Sequence, residues 1–396
     1  MKNILFVTSI LSIAIISFAL VEINYKYKIK YIDYVWLSKE QKDEMIKSGD
    51  YKAGVGILHD VDKAPDGRVL IAGYKTKGSP VGLMTVSNET GMGGPLFYPY
   101  PNWNWWNTNE CLTGFYRITI KCNYLFVVHS GKFRDRDEVC PARLLVFDLT
   151  TDKLIRNIII PSEIANDKNN NGFLMTPFVD AANCYEIATA TVYITDSEGY
   201  GIIIYNPKTS KFNRIESSYM KPNHTDFFTI DNRNFTVEEG IFGLTMIGNE
   251  LYYACTSGKS IYKMDKSDLQ CIKNISQADK KTKIVATLSG QVDVLASKEN
   301  ALFFVNIPEG SILCADSSKE INSTNMEILA QDPINLILQC TLKVPGDELI
   351  GMANNYQDFV MDRQNINKTN FVIFIINIKD IRKNTKCFGS SKEKNY

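Results

Sequence analysis

Most of the chain is built from short apolar runs separated by polar turns, and the pattern repeats. "NYLFVVHSG" leads through a charged loop to "RLLVFDLTTDKL", and "TVYITDSEGYG" leads to "IIIYNPKTSKF". "NELYYACTSGKS" leads to "IYKMDKSDL", and "NALFFVNIPEGS" to "ILCADSSKE". An earlier copy is "GRVLIAGYKTKGSPVGLMTVSNETG", and a later one begins "DELIGMANNYQDF" and returns as "NFVIFIINIKD". Each unit predicts a strand, a polar turn, a second strand and a closing Asp/Asn-Lys-Thr/Ser type of turn. The first strands of the units begin near Val69, Tyr124, Tyr193, Leu251, Leu302 and Leu349, at intervals of 47 to 69 residues. Six units of that length match four-stranded blades with loops of variable length. Radial repetition leaves antiparallel sheets only short, protected edges. The expected fold is therefore all-β: a single six-bladed β-propeller domain over residues 20–396. The alternating "YKYKIKY", Tyr25 to Tyr31, is placed to close the ring, with its lysines on a solvated face. A polyanion site is the competing reading of those lysines.

Helical periodicity is scarce. "SKEQKDEMIKSG" predicts one helix, with Ser38 as cap, Gln41 three residues later and Gly49 as stop. "YPYPNWNWW", Tyr98 to Trp106, holds three of the four tryptophans. It reads as a proline-stiffened loop packed across a blade edge, or as an aromatic surface that stacks on a ligand.

The first residues change the picture of where this fold would live. Lys2 is followed by an apolar run to Leu20, and Ser17-Phe18-Ala19 supplies small residues at cleavage offsets. This predicts a signal peptide over residues 1–19, with a membrane anchor as the alternative. No later segment approaches the ~20 apolar residues of a spanning helix. Asn88, Asn223, Asn234, Asn274, Asn322 and Asn367 each begin an Asn-x-Ser/Thr triplet, as a glycoprotein would carry. Nine cysteines contain no Cys-x-x-Cys pair, so disulfides are the expected use and one thiol is left over. The expectation is a secreted, extracellular protein with no membrane attachment after cleavage.

Charge is balanced, 44 basic against 44 acidic residues, which gives no basic footprint for nucleic acid. His59, His129 and His224 are the only histidines, too few for a multi-histidine metal centre. No nucleophile elbow, His-Glu-x-x-His or phosphate loop is present. Gly199-Tyr200-Gly201 lacks the third glycine and the helix of a dinucleotide site, so a hairpin turn needing positive φ is expected there. Asp180, Asp196 and Asn354 are the only residues worth testing as Ca²⁺ ligands on a propeller axis. No cofactor is called for. Small polar residues follow each first strand: His129-Ser130, Thr195-Asp196, Thr256-Ser257, Asn306 and Asn354-Asn355. Either they converge on a concave mouth at the axis, or they satisfy turn backbone.

Several segments resemble the major royal jelly protein/Yellow family of insects. They are "IKSGDY", "VSNETGMGG", "PYPNW", "CPARLLVFDLTTDKLIR", "VYITDSEGYGIIIY", "FTVEEGIFGLT" and the closing "NTKC". The resemblance covers nearly all of the mature chain and leans to the royal-jelly branch. It implies a secreted six-bladed propeller, with pairings Cys122–Cys184, Cys314–Cys387 and Cys111–Cys140. Cys255, Cys271 and Cys340 depart from the pattern, and a 255–271 bridge is the guess for two of them. Royal-jelly members are nutritive secretions that can oligomerise and hold sterol. Yellow members act in pigmentation, some with dopachrome-converting activity, and Yellow-related salivary proteins bind biogenic amines at the axis. The amine-binding regions match Ala353-Asn354-Asn355-Tyr356 and Gly240-Ile241-Phe242-Gly243, with Tyr116 near an equivalent tyrosine. Ala353 stands for serine and Gln339 for threonine, which puts amine binding in question. The resulting expectation is a non-enzymatic protein holding a small apolar or aromatic ligand of sterol, amine or catechol type, or a nutritive secretion component. Asn354 would supply hydrogen bonds, and Tyr356, Phe242 and Tyr116 the walls. The alternative is an enzyme, of dopachrome-conversion or Ca²⁺-dependent propeller type.

Overall fold

The computed structural model describes residues 18–109, 111–112, 115–132, 140–222, 228–230, 233–235, 237, 239–361 and 363–389. The proposed cleavage region through residue 17, His224 and the Asn223 sequon lie outside them.

Six antiparallel four-stranded sheets succeed one another and form a six-bladed β-propeller. Blade 1 is Leu58–Lys63, Val69–Gly73, Leu83–Gly91 and Gly94–Pro99. Blade 2 is Phe115–Lys121, Tyr124–His129, Arg143–Asp148 and Lys153–Ile159. Blade 3 is Leu174–Asp180, Thr191–Asp196, Gly201–Asn206 and Lys211–Glu216. Blade 4 is Ile241–Ile247, Glu250–Cys255, Ser260–Asp265 and Lys283–Thr287. Blade 5 is Leu295–Lys298, Ala301–Asn306, Ser311–Asp316 and Met326–Gln331. Blade 6 takes Gln339–Lys343, Glu348–Asn354 and Phe371–Asn377 from the end of the chain and Asn24–Ile29 from its beginning. The first strands touch their neighbours in a continuous ring and define the axis.

The ring is closed by the segment expected to close it. Asn24–Ile29 pairs antiparallel with Phe371–Asn377, from Asn24 opposite Ile375 to Ile29 opposite Phe371. Lys26 and Lys28 face solvent while Tyr25 and Tyr27 are half-buried, as a solvated outer face requires. Phe18–Ala19 adds a short fifth strand beside Met326–Gln331 of blade 5.

One expectation is off by a strand. The runs beginning near Val69, Tyr124, Tyr193, Leu251, Leu302 and Leu349 are the second strands of their blades. The reason is burial: Ala301–Asn306 is buried at every position and reads as an unbroken apolar run. The inner strands instead carry polar residues that staple blade to blade. Asp60 and Asp62 accept from the amides of Ile118 and Ile120 at 2.8 and 2.7 Å. Thr119 donates to the Pro177 carbonyl at 2.5 Å, and Thr341 to the His59 carbonyl at 3.2 Å.

The predicted helix is Lys39–Ser48, capped by the Ser38 hydroxyl on the Gln41 amide and ended by Gly49 in the left-handed region. The tryptophan segment packs as a loop does, with a short helix Trp103–Thr108 that the prolines obscured. Trp103 and Trp106 are buried and donate to the carbonyls of Val35 and Tyr100. Three disulfides form, Cys111–Cys140, Cys122–Cys184 and Cys314–Cys387, as the resemblance implied. The 255–271 bridge does not. Cys255 is buried on the Tyr219 carbonyl, while Cys271 is exposed and Cys340 is buried at the axis.

Candidate functional site

The site begins with a repeated irregularity. Pairing of the inner strand with its neighbour slips at Leu58/Asp60, Phe115/Ile118, Leu174/Pro177, Ile241/Gly243 and Gln339/Thr341. Such bulges bend a strand and re-aim a side chain. The residues inside these five slips include His59, Tyr116, Met175, Phe242 and Cys340, and all five line one axial cavity. The cavity measures about 50 Å³ as the space open to the centre of a water molecule. Tyr74, Phe173, Asn354 and Tyr356 complete its aromatic and amide wall, and Glu239, Thr256 and Asp293 add polar groups.

The four expected site residues, Asn354, Tyr356, Phe242 and Tyr116, therefore stand on one cavity. Their rings belong to a wider aromatic lattice. Tyr116 meets Tyr74 edge-on at 4.3 Å between centroids and Phe173 at 4.4 Å, and Tyr74 meets His59 at 4.6 Å. Asn354 is also engaged within the fold. Its Nδ2 donates to the Leu58 carbonyl at 3.0 Å and reaches the Cys340 sulfur at 3.4 Å, while its Oδ1 accepts from the Tyr356 amide at 3.2 Å. Asn354 thus ties blade 6 to blade 1 and aims Tyr356. Gln339, standing for the family threonine, is fully buried and its Nε2 lies 3.5 Å from the Ser311 carbonyl.

Two acidic residues that the pattern did not single out face the same space. Glu239 and Asp293 are buried, and desolvation raises both, Glu239 to about 7 with help from the nearby Asp293 charge. Asp293 is likewise pushed up to about 7, against the pull of Arg117. The Oδ1 of Asp293 is buried with no hydrogen-bond partner among the described residues. His59 was equally missed as a wall residue. The usable signal was positional: Glu239 and Asp293 each lie two residues before an inner strand, beginning at Ile241 and Leu295.

Below the cavity Arg117 crosses the axis. Its guanidinium carbon lies 4.2 Å from the Phe242 ring centroid, and its Nη1 donates to Asp60 at 3.1 Å. Asp60 also accepts from Thr341 Oγ1 at 2.7 Å and from the Lys343 ammonium. This buried layer separates the aromatic cavity from a second, polar cavity of about 260 Å³ lined by Arg117, Thr176 and Lys343.

The polar residues after the second strands mostly satisfy turns and neighbours rather than converge. Thr195 Oγ1 accepts from the Thr176 amide at 3.0 Å and donates to the Phe242 carbonyl at 3.4 Å. Asp196 accepts from the amides of Phe173 and Gly199 and pairs with Arg214 at 2.8 Å. His129 is buried, and desolvation followed by the Arg143 charge lowers it to about 4. Only Thr256 and Asn354 of this set reach the axial cavity. Positive φ at Gly199-Tyr200-Gly201 falls on Tyr200, at 55°, and not on the glycines. Gly199 is required by crowding instead: a Cβ there would stand 2.2 Å from Asp196 Oδ2 and 2.5 Å from Arg214 Nη2. Asp180, Asp196 and Asn354 are not brought together. Asp180 pairs with Lys266 at 2.9 Å. Among the described residues no group of three or more His, Cys, Asp or Glu is arranged to hold a metal ion.

The model of the family described as "Major royal jelly protein" matches residues 113–387. The chain belongs to the major royal jelly protein family. Major royal jelly protein 8 of Apis mellifera is 32% identical over 390 residues, covering 92% of each chain. Major royal jelly protein 9 of the same species is 30% identical over 385 residues, covering 91% of this chain and 89% of the relative. The match of the family model starts two residues before the inner strand of blade 2 and ends at Cys387, so it spans blades 2 to 5, three strands of blade 6 and the closing disulfide. Blade 1 falls within the length shared with these royal jelly proteins, which covers 92% of this chain.

Proposed function

We propose that this royal jelly family member is a secreted, non-enzymatic binding protein whose axial cavity takes the cationic end of a small aromatic amine. The observation that carries the reading is the pairing of aromatic walls with two buried carboxylates, one of whose oxygens has no donor. An ammonium supplies both the missing donor and the charge that stabilises ionised Asp293 and Glu239. Ring faces around it add cation–π attraction. The cavity of about 50 Å³ accepts a head group and leaves an aryl ring at the mouth beside Tyr356. A sterol exceeds this space, so the sterol member of the expected ligand set is the one the geometry favours least.

Titration calorimetry with phenethylamine, catechol and cholesterol tests the proposal. Phenethylamine should bind the wild type, and Asp293→Asn should weaken it at least tenfold. Absence of phenethylamine binding at millimolar concentration would refute it. The same carboxylates favour a second reading. Acids near neutral pKa suit proton transfer on a bound catechol, as a dopachrome-converting enzyme requires. Loss of dopachrome absorbance catalysed by the wild type, and abolished in Glu239→Gln, would support that reading.

Three disulfides support secretion. So do the exposed sequon asparagines Asn88, Asn234, Asn274 and Asn367, with Asn322 half-exposed. A glycosidase-sensitive gel shift of protein collected from culture medium tests both secretion and glycosylation.

A further inference from the structure

The polar cavity on the far side of Arg117 has its own chemistry. It is lined from the inner strands of all six blades and measures about 260 Å³. The one carboxylate in its lining is Asp62, and Asp60 lies behind it in the Arg117 layer. Asp60 receives Arg117, Thr341, Lys343 and the Ile118 amide. Asp62 receives the Ile120 and Lys63 amides, one on each oxygen. Its hydroxyls are largely spent as well: Thr119 donates to the Pro177 carbonyl and Ser297 to the Met246 carbonyl.

Donors remain. Arg117 is 3% exposed, and its Nε and Nη2 have no hydrogen-bond partner among the described residues. Thr176 Oγ1, on the same cavity, is also buried without a partner. Lys343 directs its ammonium to Asp60 and the Ile118 carbonyl and stands 4.0 Å from Asp62 Oδ2, and Lys121 also lines the cavity. Arg117, Lys121 and Lys343 therefore line the cavity against one carboxylate, Asp62, and the unpartnered polar atoms named here are all donors. Buried donors without acceptors are costly, and a guanidinium is the group that best receives a two-oxygen acceptor.

We propose that this cavity is an anion site for a small oxyanion, a carboxylate or a phosphate, held by Arg117 with Thr176 and Lys343. It is a site distinct from the aromatic cavity. Arg117 ties the two together: its guanidinium packs on Phe242, a wall of the aromatic cavity, while its unspent N–H groups serve the anion.

Calorimetry of the intact, disulfide-bonded protein at low ionic strength, with inorganic phosphate and with acetate as probes, tests the site. One equivalent of at least one probe should bind at millimolar concentration or below. The probe that binds distinguishes the phosphate from the carboxylate form. Thr176→Val keeps the side-chain shape and removes one donor, and should weaken binding roughly tenfold. Arg117→Met should abolish it, with circular dichroism confirming that the variant is folded. If Arg117→Met does not fold, the Thr176→Val result decides. No heat with either probe overturns the proposal. So does binding that Thr176→Val leaves unchanged, since the anion then sits elsewhere.

Discussion

Asp293 offers the sharpest quantitative consequence of this axis. Burial raises its carboxyl from an ordinary 3.8 to about 7 in the folded protein. Between those values the folded state holds a proton that the unfolded chain has released. Stability is therefore full below about pH 4 and falls as pH rises through 7. A displacement of that size is worth roughly 4 kcal/mol for an isolated group. Glu239 titrates against the same charge, so the two share the effect and do not double it. Asp293→Asn removes one titration and relieves Glu239 as well. Urea denaturation of oxidised protein at pH 5 and pH 8, without ligand, gives the comparison. The wild type should lose roughly 2 to 3 kcal/mol more than Asp293→Asn between the two conditions, since the part of the effect below pH 5 is already gone. Equal losses in the two proteins would show that Asp293 does not carry a raised pKa, and the case for a charge-hungry cavity would fall with it.

Three further outcomes follow from contacts at other places. Asp196→Ala removes a fully buried carboxylate from its ion pair with Arg214, whose side chain is 8% exposed and keeps Glu216, and should cost roughly 3 to 5 kcal/mol in urea denaturation. Asn354→Ala removes the bond to the Leu58 carbonyl and the support of Tyr356, and should cost about 1 to 3 kcal/mol while weakening amine binding. Replacing both Cys314 and Cys387 by serine frees a loop spanning a sequence separation of 73 residues and should cost about 4 kcal/mol, read as a fall in Tm.

How much of this was legible depended on what repeats. Second strands are buried on both faces, so runs such as "ALFFVN" and "NELYYAC" showed the six-unit period directly. Inner strands such as Leu58–Lys63 and Leu174–Asp180 mix apolar residues with His, Asp, Thr and Pro, which hid them and shifted the assigned phase by one strand. The walls Tyr116, Phe242, Asn354 and Tyr356 came from resemblance rather than from pattern. Glu239 and Asp293 escaped because a lone acid before a strand looks like an ordinary turn residue. Only the three-dimensional convergence of separate blades turns them into a pair. Asp196 misled in the opposite direction: its place at the end of a strand suggested a mouth, yet Arg214, two strands away in the same blade, had already claimed it.

The partner of Asn24–Ile29 is made last. A chain emerging from synthesis carries this strand with its ladder unmet until Phe371–Asn377 has been produced, and the Cys314–Cys387 bridge waits almost as long. Blades 1 to 5 can pair within themselves in order of synthesis, but the ring cannot. Quality control therefore has a built-in readout of completeness. A chain cut short before Phe371 leaves two open sheet edges, at Asn24–Ile29 and at Glu348–Asn354, which are the surfaces that chaperones retain and aggregates recruit. Closure of the ring would then report, in a single event, that Asn24–Ile29 and Phe371–Asn377 are both present.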